Sequence, residues 1–122
     1  DSNDGDSPGD LTGLAGGFGW YMSAVEVAKF WAYSWYTNDF INDDSRQIMT
    51  DNTAGLWNTT TGDKGTYYNK LGEWSITQWY SAVAMHYPND VDLIVLINSR
   101  PDDGNSLVTL ASNTYDASFG CQ

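Results

Sequence analysis

The chain has 122 residues, room for one compact domain with a single core at roughly 100–200 residues per domain. Hydrophobic residues make up 41% against 17% charged, and six Trp, eight Tyr and four Phe supply large rings that bury area efficiently, which excludes wholesale disorder. Sixteen acidic side chains against five basic ones give a net charge of -11, which repels phosphate backbones and anionic headgroups and speaks against nucleic acid and membrane surfaces as partners.

Residues 1–13 read as an acidic tail or loop, rich in turn formers and without apolar periodicity, and residues 14–122 as the domain. Asp1, Asn3 and Gly5 echo the start of a calcium loop. Asp6 stands where such a loop needs Gly and Thr12 where it needs a bidentate Glu, so no metal is expected there.

From Ser23 the pattern changes. Ser23-Ala24-Val25-Glu26 is a capping box, and Val27, Phe30, Trp31, Ser34 and Trp35 recur at helical spacing, which predicts an amphipathic helix ending near Tyr36. Asn42-Asp43-Asp44 caps a second, shorter helix carrying Ile48 and Met49, with Ile41 placed to staple its start. Gly55, Gly62 and Gly65 then break the chain into short pieces and the pattern becomes β. Trp79, Ser81, Val83, Met85 and Tyr87 alternate with Tyr80, Ala82, Ala84 and His86, as in a strand with two different faces. Pro88-Asn89-Asp90 turns the chain, and Val91 to Ile97 is an apolar run that suits a strand covered on both faces. Asp102-Asp103-Gly104 starts a last helix with Leu107, Leu110, Ala111, Thr114 and Ser118 on one stripe.

The expected fold is α+β: two helices, an antiparallel three-strand meander over about 66 to 98, and a flanking helix over about 104 to 118. In a plain meander Val91 to Ile97 is an edge, and so apolar an edge should recruit a further strand. The partner is expected to be another part of a longer protein or a second copy of this chain. The longest strongly apolar run, Leu93 to Ile97, is far short of the ~20 residues of a spanning helix, and the first residues are acidic, unlike a secretion signal. Cys121, the one cysteine, is either a thiol or half of a bridge to another chain. The aromatic-rich, Lys-poor composition and the glycosylation-type sequon Asn58-Thr59-Thr60 point to an extracellular or periplasmic protein.

Several segments are familiar in combination. The stretch Ala15-Gly16-Gly17-Phe18-Gly19-Trp20-Tyr21-Met22-Ser23-Ala24-Val25-Glu26-Val27-Ala28-Lys29-Phe30 resembles the Gly-Gly, capped-helix segment of the penicillin-recognising serine hydrolases, the group of serine β-lactamases, DD-peptidases and esterases. Asn42 to Asp51, with Arg46 and Met49, is similar to the short helix that follows there. Tyr68-Asn69-Lys70-Leu71-Gly72-Glu73-Trp74, Met85-His86-Tyr87-Pro88-Asn89-Asp90 and Val95-Leu96-Ile97-Asn98-Ser99 are similar to the third active-site motif, the hairpin and the Asn-Ser exit of the penultimate strand.

The resemblance implies the C-terminal part of a β-lactamase-like fold and of an ester or amide acyl-transfer enzyme, with no cofactor. In that family the nucleophile lies in a Ser-x-x-Lys motif, which puts hydroxyl and amine on one helix face. No serine of this chain has Lys at its third following position. The chain alone is therefore expected to be inactive, with a complementary N-terminal segment supplying the nucleophile and the strand that pairs with Val91 to Ile97.

Carried over by position, Lys70 is the motif's cation, Leu71 stands where the family has a hydroxyl, Gly72 lets substrate approach the backbone, and Glu73 offers its N–H to the oxyanion. Trp74 and Ser75 follow as substrate-binding positions. Leu71 departs from the pattern and fits an esterase-like or inactive member better than a β-lactam or peptide-carboxylate binder.

His86 is the only histidine and has no ligand set on its strand, so it reads as a surface or hydrogen-bonded structural residue, and Glu26 as a capping acid. The rival reading is an extracellular carbohydrate-binding module in which Trp31, Trp35, Trp74, Trp79 and Tyr80 form a stacking platform.

Overall fold

The computed structural model describes residues 22–55, 58–75, 79–99, 101 and 104–118. The expected tail over 1–13, the segment Ala15 to Tyr21, Asp102, Asp103 and Cys121 lie outside the described residues; residues 104–106 are described and not helical, so the last helix starts at Leu107 and not near 104 as expected.

Helix α1 spans Ala24–Tyr36 and begins at the expected capping box: Glu26 N–H donates to Ser23 Oγ (3.3 Å) while Ser23 N–H donates to the Glu26 carboxylate (2.7 Å). Those bonds to Ser23 favour the ionised form and hold the Glu26 carboxyl below its ordinary pKa. Helix α2 spans Asp43–Asn52, and its Asn42 side chain accepts from Ser45 N–H at 2.8 Å.

Strands β1 (Asn58–Gly62), β2 (Gly65–Ser75), β3 (Trp79–Tyr87) and β4 (Val91–Ile97) follow, then helix α3 (Leu107–Ser118). The strands form one antiparallel sheet in chain order, β1-β2-β3-β4. The class is α+β. The sheet has four strands where three were expected, because β1 pairs ahead of β2. β1 is Asn-Thr-Thr-Thr-Gly, without one apolar side chain, so no hydrophobic alternation marked it; the β-preference of threonine was its one signal.

Alternation sends the strand side chains to two faces. On one, Tyr67, Val83, Met85 and Tyr87 pack with Leu107, Ala111 and Tyr115 of α3 as the main core, flanked by Leu71, Val91, Leu93, Val95 and Ile97. On the other, α1 lies over β4 and sets Trp31 and Trp35 against Ala84, Tyr68 and Ile94. β4 is thus covered on both faces, as its apolar run requires, yet stands at the sheet edge among the described residues.

The turn before β4 places Asn89 and Asp90 at φ 68 and 58, a left-handed conformation that short polar side chains tolerate. No helix among the described residues is long and apolar enough to cross a membrane.

Candidate functional site

Lys70, Gly72 and Trp74 alternate with Leu71 and Glu73 along β2, so the first three share the α1 side of the sheet. Their neighbours on β3 are Ala84, Ala82 and Tyr80. The sheet surface at Gly72 and Ala82 is therefore low, a backbone floor between Lys70 on one side and the Trp74–Tyr80 pair on the other. A Cβ at Gly72 would meet nothing within 4 Å among the described residues. Trp74 and Tyr80 are each about half exposed, at 48% and 47%.

Leu71 points to the opposite face and packs on the α3 core, so it does not join Lys70 and Gly72. Its apolar side chain suits that position. Glu73 is exposed, and Ser75 is the last residue of β2.

Among the described residues β1 runs beside β2 from Gly65 to Asn69, where Asn58 is the last partner. Beyond that point β3 is the one strand neighbour of β2 among the described residues. Backbone N–H and C=O groups on the far side of an antiparallel strand point away from its partner. The stretch from Leu71 to Ser75 thus joins an open floor to a strand edge, which is what a substrate needs to lie against backbone donors.

The histidine has a partner that sequence reasoning missed. His86 and Asp92 face each other across the β3–β4 hairpin, with Nδ1 and Oδ1 2.7 Å apart and both side chains about 85% buried. Trp35 stacks on the imidazole, centroids 3.9 Å apart and planes 7° from parallel, and Tyr36 meets the same ring edge-on from the same helix end, centroids 5.9 Å apart. Burial and the Asp92 carboxylate push the Tyr36 phenol well above its ordinary pKa. The signal was the six-residue spacing around Pro88-Asn89-Asp90, which sets positions 86 and 92 opposite each other once the turn is a tight one. This cluster pins the end of α1 to the sheet.

Between α1 and α2 lies a cavity of about 240 Å³ walled by Phe30, Trp31, Trp35, Phe40, Ile41 and Met49, with no β2 residue in its lining. Its polar neighbours are engaged elsewhere: Ser34 Oγ donates to Phe30 O, and Arg46 donates to the Ser34, Thr37 and Ile41 carbonyls.

Of the five expected platform rings, Trp31 is buried, Trp35 is covered by His86 and Trp79 is half-buried, which leaves Trp74 and Tyr80 as the exposed pair directly opposite each other. No group of three metal-ligating side chains occurs among the described residues. No family model matches the chain, and no curated protein and no solved structure matches it.

Proposed function

We propose that this chain is the C-terminal part of a β-lactamase-like serine hydrolase acting on small ester or amide substrates, and that β2 is its substrate-binding strand. One observation carries the reading: Lys70 and Gly72 share a sheet face with open space over Gly72 among the described residues, and on the far side of their strand no described residue of β1 pairs past Asn69.

In this reading the substrate lies along that edge, Lys70 supplies the cation, and the Glu73 N–H stabilises the oxyanion. The nucleophile comes from a complementary segment bearing Ser-x-x-Lys, whose strand pairs on the free side of β4; where that segment is missing, a second copy of this chain takes its place. The setting is extracellular or periplasmic, as the composition suggests.

The test is exposure to a chromogenic ester and to an acylating β-lactam, followed by intact-mass analysis. The chain alone is expected to hydrolyse neither above buffer and to gain no adduct. Assembled with a Ser-x-x-Lys segment it is expected to support acylation on that segment's serine, slowed on the order of 10²-fold by Lys70→Ala. An adduct on a serine of this chain would sink the reading.

The exposed Trp74 and Tyr80 pair favours a second reading, a module that stacks sugar rings on those two aromatics. It requires saturable oligosaccharide binding that Trp74→Ala and Tyr80→Ala each abolish.

A further inference from the structure

The chain's Asn58-Thr59-Thr60 sequon has no part in acyl transfer. It opens β1, a strand whose one strand neighbour among the described residues is β2. Asn58 and Thr60 alternate to the same face. Thr60 is half-buried, and its Oγ1 accepts from Asn69 Nδ2 at 3.3 Å, whereas Asn58, opposite Asn69 in register, is exposed. Asn58 Oδ1 accepts from Thr59 N–H at 2.9 Å, and among the described residues its Nδ2 donates to nothing. The atom that a sugar would modify thus faces solvent while the hydroxyl two residues on is held in place. β1 also carries no charge, no proline and no bulge to keep another strand off its edge.

We propose that Asn58 is a site of N-linked glycosylation, with the oligosaccharide standing over the β1 edge of the sheet. The proposal rests on the export suggested above and not on the acyl-transfer reading. In the transfer, Asn58 Nδ2 bonds to the anomeric carbon of a polyprenyl-diphosphate-linked oligosaccharide. The carbon–oxygen bond to the diphosphate breaks, the lipid diphosphate leaves, and the amide gives up one proton. The two edges of the sheet then differ in kind: a bulky hydrated sugar covers the polar edge at β1, and the apolar edge at β4 stays open to a strand.

The full chain, directed into the secretory pathway of a eukaryotic cell, is mapped by peptide mass before and after peptide-N-glycanase, in both the secreted and the retained fractions. The expected result is a sugar released with conversion of Asn58 to Asp. It should be absent from Asn58→Gln and kept in Thr60→Ser, which preserves the hydroxyl for both the transferase and Asn69. A wild-type chain with Asn58 unmodified in both fractions overturns the proposal, as does a glycan that persists in Asn58→Gln.

Discussion

Arg46 ties the α1–α2 junction together at several points. Its guanidinium donates to the carbonyls of Ser34 (2.9 Å), Thr37 (2.6 Å) and Ile41 (2.9 Å), and pairs with Asp43 at 2.6 Å. The first two carbonyls belong to the end of α1, where helical acceptors run out of donors. The planar fork reaches three acceptors at once, which an ammonium does not. Arg46→Ala is expected to cost about 2–3 kcal/mol, mostly from part-buried carbonyls left without a donor, with Arg46→Lys recovering a minor share; urea unfolding of the two variants checks it. Ser112 makes the opposite case, since its Oγ is buried with no hydrogen-bond partner among the described residues. Ser112→Ala should leave stability unchanged or raise it by up to about 1 kcal/mol in the same assay.

Three tyrosines set a pH limit. Burial raises the phenols of Tyr36, Tyr67 and Tyr87 above their ordinary value, with Asp92 adding to it at Tyr36 and the hydrogen-bonded Asp116 at Tyr67. A raised pKa means that the folded state holds the proton more tightly than the unfolded one. The stability linked to these groups is therefore fully present below about pH 10 and falls as pH climbs through the folded-state values. Denaturant midpoints should stay flat with respect to these phenols near neutrality and drop in alkali, in step with phenolate absorbance; a midpoint that rises in alkali would contradict the assignment.

At the scale of elements, the helices were legible because their signals are local. Ser23, Glu26 and Asn42 announce starts within one turn, and the structure places each in the expected cap. The hairpin from Trp79 to Ile97 was legible from alternation and a Pro-Asn-Asp turn. β1 was not, since its contacts are backbone ladders that four polar residues and a glycine do not advertise. Of the site, the common face of Lys70 and Gly72 follows from parity alone, whereas Leu71 goes inward because the core under β2 needs an apolar group there. The His86–Asp92 pair needed the register, which no single strand encodes. β4 gives the element-scale prediction: the isolated chain should sediment as an oligomer at tens of micromolar. Leu96→Lys, at a position 41% exposed, should shift it toward monomer with little change in unfolding midpoint. A monomer with slow amide exchange at Leu93 and Val95 would show β4 already covered.

For the whole molecule, a sheet with α1 on one face and α3 on the other has an order built into time. Each strand pairs with its neighbour in sequence, so the hairpins close locally, within about 1–10 μs apiece for such an element. Helix α1 is different: it is made before all four described strands and rests on the last of them. Its docking face, Trp31 and Trp35, has nothing to settle on until β4 is in register, and contacts so distant in sequence form slowly. During synthesis that interval is long, because the ribosome must deliver the whole sheet before the helix finds its seat. Refolding should therefore show sheet ellipticity ahead of the change in tryptophan emission, and the lag should vanish from the emission of a Trp35→Phe chain if that ring reports the docking. Until that moment two indoles stand in water, and a chaperone that grips aromatic helices would hold this protein by α1 rather than by its sheet.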